Sequence, residues 1–356
     1  MFALTRAART VARQLTLDRQ LDFWMQELDP TWSADGVRAC VIEVVDETPD
    51  VRTFRLAPNA RWGGHRAGQF VTVEVEIDGV RTRRCYSLSS APGDERLAIT
   101  VKRVAGGRVS SWMHDHLRPG HVIGLGGATG GFVLPAEPSK LLLLSGGSGA
   151  TPCMSILRDL ARRAALTDVV FVHAARSRRD VLFRRELEAL ASRHAGLRVL
   201  FVLDEDGRRL DAEQLRSAVP DLAERATMLC GPPGMMAALA PIWSAPGLAH
   251  RLHVERFAPV ARRSPLGAAP SARVALTLLS SGRTVVTERS GTLLEQLELA
   301  GERPRSGCRM GICRECACRL RSGSVEDVVT GAVTDGPDQQ IRLCVSRART
   351  DLELAI

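Results

Sequence analysis

Lysine is nearly missing from this chain of 356 residues: Lys102 and Lys140 are the only two. The formal charge of +8 therefore rests almost wholly on arginine, which reads as a bias of composition. No zinc-finger spacing, helix-turn-helix pattern or aromatic RNA-binding signature accompanies it, so the common nucleic-acid modules are excluded. No apolar run approaches the length of a membrane span, and the leucines at 141–144 make one buried strand. The nine cysteines lack the spacing of a disulfide framework, which points to a reducing compartment. Tyrosine occurs once, as Tyr86. That scarcity makes its setting informative.

What the chain does have is a cysteine constellation near its C-terminus. It reads Cys308-Arg-Met-Gly-Ile-Cys313-Arg-Glu-Cys316, followed downstream by Cys344. C-x4-C-x2-C with a distant fourth cysteine is the spacing of a plant-type [2Fe–2S] site. Gly307 and Gly311 permit a tight loop whose backbone N–H groups face the cluster sulfides. Zinc is the alternative, but zinc ribbons use two C-x2-C pairs and no histidine lies nearby. Cys318 is expected to be a small buried apolar residue rather than a ligand. The flanking segments predict a β-grasp module. A hairpin of strands 275–279 and 284–287 turns at Ser281 and Gly282, and a helix over 292–300 stops at Gly301.

Short strands at 39–45, 51–56, 70–75 and 97–102, separated by turn residues, predict a small antiparallel barrel. Within it lies Arg84-Cys85-Tyr86-Ser87. Side chains alternate along a strand, so Arg84 and Tyr86 share a face. A guanidinium clamps phosphate, a phenol ring stacks on a flat isoalloxazine, and Ser87 offers a hydroxyl near the flavin N5. Downstream, Gly106, Gly107, Val109, Ser110 and Ser111 open a helix whose first N–H groups suit a pyrophosphate. His114 and His116, two apart on that helix, do not share a face and are expected at the surface.

A β/α alternation follows, which predicts a parallel sheet. The strand at 141–144 runs into Gly146-Gly147-Ser148-Gly149-Ala150-Thr151-Pro152, where glycines allow backbone to approach a pyrophosphate, Thr151 is placed to cap the helix and Pro152 suits its first turn. The strand at 169–175 ends without the Asp or Glu common in NAD sites. Arg176, Arg178 and Arg179 come next, pointing to the 2′-phosphate of NADPH, with NADH as the alternative. Later, Cys230-Gly231-Pro232-Pro233-Gly234 ends a strand and starts a helix, setting a thiol at the carboxyl edge of the sheet.

These four ordered motifs, with Gly68-Gln-Phe70 before the first, resemble the ferredoxin–NADP reductase superfamily in the form that carries a C-terminal plant-type [2Fe–2S] ferredoxin domain, as in the electron-transfer reductases of oxygenases and acyl-CoA desaturases. The fold class implied is multi-domain α+β and α/β. It comprises an N-terminal helical extension (1–36), an FAD-binding antiparallel barrel (37–136), a parallel-sheet NAD(P)-binding domain (137–257), a Pro/Ala-rich linker (258–271) and a β-grasp [2Fe–2S] domain (272–356). The extension, basic and amphipathic, is expected to pack on the next domain, with a transit peptide or a membrane-surface helix as the alternatives.

Carried over residue by residue, the resemblance implies that Arg84, Tyr86, Ser87, Gly107, Val109 and Ser110 bind FAD, with FMN as the alternative. Gly147, Gly149, Thr151, Arg176, Arg178, Gly231 and Pro232 bind the dinucleotide. Ser87, Cys230 and Glu255 (in Glu255-Arg-Phe257) are the catalytic group, and Cys308, Cys313, Cys316 and Cys344 hold the cluster. The activity implied is transfer of electrons from NADPH through FAD and the cluster to an iron-containing oxygenase. A membrane di-iron desaturase or hydroxylase comes first as acceptor, with a Rieske oxygenase or cytochrome P450 as the alternative and a redox sensor as the competing class. No nucleic-acid partner is expected. The setting implied is cytoplasmic, with peripheral membrane association through the acceptor or the N-terminal helix. The chain departs from the family pattern at Ala128, where many members have proline. It departs again in the arginines around the cluster (Arg303, Arg305, Arg309, Arg314, Arg319, Arg321), which predict an acidic acceptor face.

Overall fold

The computed structural model describes residues 24–134, 138–207, 209–257, 273–288 and 291–356. Most of the expected N-terminal extension (1–23) and all of the expected linker (258–271) lie outside the described residues. The chain divides into two compact units, the first made of the chain up to Thr82 with Tyr86–Glu255, the second of Arg83–Cys85 with Arg256–Ile356.

The first unit opens with a six-stranded sheet of β1 (Val37–Thr48), β2 (Val51–Pro58), β3 (Phe70–Ile77), β4 (Val80–Ser87), β5 (Leu97–Lys102) and β6 (Val122–Leu125), in the order β4-β3-β6-β1-β2-β5. These segments are rich in Val, Ile and Thr, whose branched side chains fit a pleated, half-buried surface. Phe54 and Leu56 of β2, Val71 and Val73 of β3, and Ile99 and Val101 of β5 fill the interior. The two edges of the sheet meet. Just past β4, Leu88 bridges Ile99 of β5, and the Ser89 N–H donates to the Ala98 carbonyl at 2.8 Å. The sheet thus closes on itself and leaves no exposed edge there.

Helix α1 (Arg108–His116) sends Val109 and Met113 into that interior. It also corrects one expectation. His114 is buried, its Nε2 2.9 Å from the Val101 carbonyl, because it follows Ser110 by four residues on the inward face. His116 alone is exposed, stacked on Trp112.

The same unit continues as β7 (Leu141–Gly146), α2 (Ala150–Arg162), β8 (Val169–Ala175), α3 (Arg184–Arg193), β9 (Leu197–Leu203), α4 (Ala212–Ala218), β10 (Ala226–Cys230), α5 (Pro233–Leu239) and β11 (Leu252–Glu255). The strands form a parallel sheet in the order β11-β10-β7-β8-β9. Leu141 and Leu143 face one apolar core, Leu142 and Leu144 the other, which is why β7 reads as a continuous leucine run. Strand order reverses between β7 and β10, and the carboxyl ends at such a switch point frame a crevice. The Gly146 and Cys230 turns are therefore neighbours.

The second unit pairs β12 (Arg273–Leu278), β13 (Arg283–Glu288), β14 (Ala317–Ser322), β17 (Gln339–Arg342) and β19 (Leu352–Ala355) in the order β13-β12-β19-β14-β17. Beside it stands a small sheet of β15 (Ser324–Asp327), β16 (Val333–Asp335) and β18 (Ser346–Ala348). Helix α6 (Leu293–Leu299) packs Leu293, Leu294 and Leu297 into the core. It begins at a capping box in which Thr292 and Glu295 satisfy each other's backbone N–H groups. Gly282, at φ +67°, makes the β12–β13 turn. Cys318 is buried in this core, as a small apolar residue should be.

Candidate functional site

The switch point of the parallel sheet brings two glycine turns within contact. A Cβ on Gly149 would lie 2.1 Å from the Cys230 carbonyl oxygen, and one on Gly231 would lie 2.5 Å from Met235 Cε. Only glycine allows the approach at Gly149, where the neighbour is backbone. Gly147, at φ +51°, leaves open space before its backbone. Above these turns opens a cavity of about 630 Å³, walled by Gly146, Gly147 and Ser148 on one side and Pro232, Gly234 and Met235 on the other. The size and the glycine walls fit a dinucleotide.

Thr151 does not cap the helix. Gly149 takes that position without a side-chain cap, and the Thr151 hydroxyl donates to the Ser148 carbonyl at 2.9 Å, tightening the turn from inside. Arg176 lines the cavity. Arg178 is exposed outside the lining and receives Glu205 at its backbone N–H.

Ser87, Cys230 and Glu255, far apart in the chain, come together. Cys230 and Glu255 are register partners at the ends of β10 and β11. The Ser87 hydroxyl, at the end of β4, donates to Glu255 Oε2 at 3.2 Å. All three are buried. Burial pushes the Glu255 carboxyl up to about 7, against the Ser87 hydrogen bond, which favours the ionised form. Burial and the neighbouring carboxylate also raise the Cys230 thiol, so it stays protonated and is no thiolate nucleophile. This group offers a carboxyl that gains or loses a proton near neutrality, held beside an uncharged hydroxyl and an uncharged thiol.

On the barrel, Tyr86 is half-buried against the core and Arg84 half-buried on the same strand. Val109 is wholly committed to the barrel core, so only its backbone is left to offer a ligand. The Ser110 hydroxyl accepts the Val104 N–H at 3.2 Å and staples the turn at Gly107. The first N–H groups of α1 carry no side-chain cap, which fits a pyrophosphate.

Two residues that the sequence pattern did not single out tie the modules of this unit together. Arg158 of α2 donates to the Ser89 carbonyl at 2.6 Å while Glu186 grips it at 2.8 and 2.6 Å. The Ser155 hydroxyl donates to the Ser90 carbonyl at 2.6 Å. Helix α2, which starts at the glycine turn, thereby holds the chain immediately after Ser87. A polar residue at the inner edge of an apolar helix face was the available signal.

In the second unit the cysteine loop folds its N–H groups onto sulfur. Cys308 and Cys313 exchange N–H···Sγ bonds at 3.2 and 3.3 Å, Met310 donates to Cys308 at 3.3 Å, and Gly311 donates to Cys344 at 3.2 Å. The hydrogen bond to Cys344 lowers the Cys316 thiol despite burial. A Cβ on Gly307 would meet Cys313 Sγ at 2.9 Å. Arg309 and Arg314 both sit at φ +58°, a strained conformation at Arg309 held by the bidentate pair to Glu298 at 2.8 and 2.6 Å. Among the described residues no three His, Cys, Asp or Glu groups converge on a single ion. Four thiols gathered by a loop whose N–H groups turn onto sulfur are a donor set that suits two irons bridged by sulfide.

Comparison with known proteins matches these features in the same order. Residues 38–134 match an oxidoreductase FAD-binding domain, 143–240 an oxidoreductase NAD-binding domain, and 276–349 a 2Fe-2S iron-sulfur cluster binding domain. An NADPH oxidoreductase of Mycobacterium tuberculosis is 37% identical over 98% of this chain and 92% of its own length. The glycine betaine monooxygenase reductase subunit of Pseudomonas aeruginosa is 33% identical over 86% of this chain and 90% of its own. Among solved structures, phthalate dioxygenase reductase shares the fold, with a TM-score of 0.63 at 24% identity, covering 90% of this chain and 98% of that one.

Proposed function

The chain belongs to the ferredoxin–NADP reductase-like family of oxygenase reductases that join FAD-binding, NAD-binding and [2Fe–2S] domains, and from that premise we propose that it draws electrons from NADPH in preference to NADH and delivers them to a membrane di-iron desaturase or hydroxylase. It is an oxidoreductase, the electron-supplying component of an oxygenase system. Bound FAD supplies hydride acceptance, and the bound cluster supplies single-electron transfer.

The protein's own part is positional. Gly149 and Gly231 let the dinucleotide lie against the sheet's carboxyl edge, and Tyr86 with Arg84 offers a stacking face and a phosphate clamp. Ser87 and Glu255 would hold a proton at the sheet's carboxyl edge, where a bound dinucleotide would present its nicotinamide, and the small neutral Cys230 would exclude water there. The observation that carries this reading is the meeting of Ser87 with Glu255, beside Cys230, at the carboxyl edge of the sheet.

Preference for NADPH is supported by Arg176 in the cavity wall and by the Mycobacterium tuberculosis relative, itself an NADPH oxidoreductase. The desaturase-type acceptor is supported by the resemblance of the Cys308 to Cys313 loop and of the N-terminal extension to reductases of that kind. A second acceptor reading, a Rieske oxygenase or cytochrome P450, is favoured by the relative that serves a monooxygenase. Among the described residues no helix is long and apolar enough to cross a membrane.

Anaerobic titration of the purified holoprotein with NADPH and NADH, followed by absorbance, tests the proposal. Bleaching of flavin together with the iron–sulfur bands, at lower concentrations of NADPH, is expected. A bleached flavin beside an unchanged cysteine site that contains zinc would overturn the electron path. Purified di-iron, Rieske and P450 acceptors, added in turn to the reduced protein, would then decide the acceptor by which one reoxidises it.

A further inference from the structure

The end of β8 carries no acid, yet an acid from the barrel reaches the cavity at its tip. Asp50, from the hairpin between β1 and β2 of the barrel, lines the same cavity as Arg176 and the glycine turns. Its Oδ2 lies 3.5 Å from Arg176 Nη2 and 3.4 Å from Lys102 Nζ. Its Oδ1 accepts the Thr48 hydroxyl at 3.0 Å, which fixes the carboxylate's orientation. One oxygen of Asp50 therefore holds both cations, and one of those is a lysine in a chain that has only two.

Arg176 is also engaged on its other side by Asp180 at 3.3 Å. The charged lining holds four acids (Asp50, Asp180, Asp204, Asp211) against three bases (Lys102, Arg176, Arg209), one negative charge in excess. A phosphate dianion entering such a wall must displace a carboxylate from the cations, whereas a ribose hydroxyl can donate to it. At the carboxyl end of the second strand of a dinucleotide fold these are the two alternatives that separate NADPH from NADH.

From this geometry we infer that Asp50, supplied by the flavin module, determines the choice between the two nicotinamide dinucleotides, with Lys102 as the second cation of the 2′-phosphate seat. The inference rests on the reading of this cavity as the dinucleotide site. In the absence of phosphate Asp50 neutralises Lys102 and Arg176 and accepts a ribose hydroxyl, which keeps NADH usable. When NADPH binds, the 2′-phosphate takes the two cations from Asp50. Asp180 is the weaker candidate for this role, because it pairs with Arg176 whereas Asp50 holds both Arg176 and Lys102.

The test compares wild-type holoprotein with D50N, D50A and K102Q, measuring KM and kcat of anaerobic flavin reduction for each nucleotide. Inhibition constants for 2′,5′-ADP and 5′-AMP give an equilibrium readout. D50N retains an acceptor for Thr48 but loses the charge, so its KM for NADPH and Ki for 2′,5′-ADP should fall about ten-fold, while KM for NADH and Ki for 5′-AMP should rise. D50A should move in the same direction. K102Q should weaken NADPH and 2′,5′-ADP alone. Parallel changes for both nucleotides, or none, would overturn the inference and leave Asp50 as a brace of its hairpin. Failure of either nucleotide to reduce the wild-type flavin would instead refute the functional reading itself, before any variant is made.

Discussion

Replacing Glu255 by glutamine should stabilise the protein, and by an amount that grows with pH. Burial raises the carboxyl from 4.5 to about 7. A carboxyl whose folded-state value lies above its unfolded one favours folding below the unfolded value and loses that contribution as pH rises through the folded value. At 1.36 kcal/mol per pKa unit the full loss is about 3 kcal/mol, complete above pH ~8. Glutamine has no such dependence and can still accept from Ser87. Between pH ~5.5 and ~8.5 the stability advantage of E255Q over wild type should therefore widen by about 2 kcal/mol. Urea denaturation of both proteins across this range, with excess FAD present, measures it. A difference that stays flat with pH would mean that Glu255 is not an abnormally raised acid, and the proton-holding role would fall with it.

The other predictions are narrower. In S87A the hydrogen bond that favours ionised Glu255 is gone, so the pH midpoint of NADPH-driven flavin reduction should rise; an unchanged or lower midpoint would separate the two residues. G149A forces a methyl to 2.1 Å from the Cys230 carbonyl, a backbone clash expected to destabilise by about 2 kcal/mol or more. G147A meets open space and should lose only about 1–2 kcal/mol, from its left-handed backbone; thermal melts of the two variants decide. T292A removes one half of the capping box and should lower the stability of the second unit by about 1 kcal/mol, read from the melt of the iron–sulfur absorbance. C344S should lose iron while NADPH still bleaches the flavin, as iron analysis and stopped-flow absorbance would show.

Much of this site was legible because its chemistry is local. The cysteines proposed as cluster ligands lie within a nine-residue span plus one distant cysteine, and thiolate spacing in a loop is set by the loop itself. The two glycine turns were recognisable from strand-to-helix transitions, where backbone approach requires the missing side chain. The β12–β13 hairpin and the stop of α6 at Gly301 followed from the same turn chemistry. Thr151 misled because a hydroxyl near a helix start resembles a cap, while the preceding turn of tight 3-10 backbone moved the true boundary to Gly149. His114 misled because two histidines in a polar stretch look solvated until the helix has a barrel beneath it.

By itself, then, the sequence determined the order of modules, the cofactor chemistry and the turns, all of which depend on neighbours within a few residues. Only the tertiary structure decided which distant groups meet. Ser87 finds Glu255 across 168 residues, and Cys230 lies beside them through strand register. The acid missing from the end of β8 arrives from a hairpin 126 residues earlier. Spacing along the chain carries no record of such meetings, because packing of the barrel against α2 and closure of the parallel sheet set them, and those are properties of the folded whole.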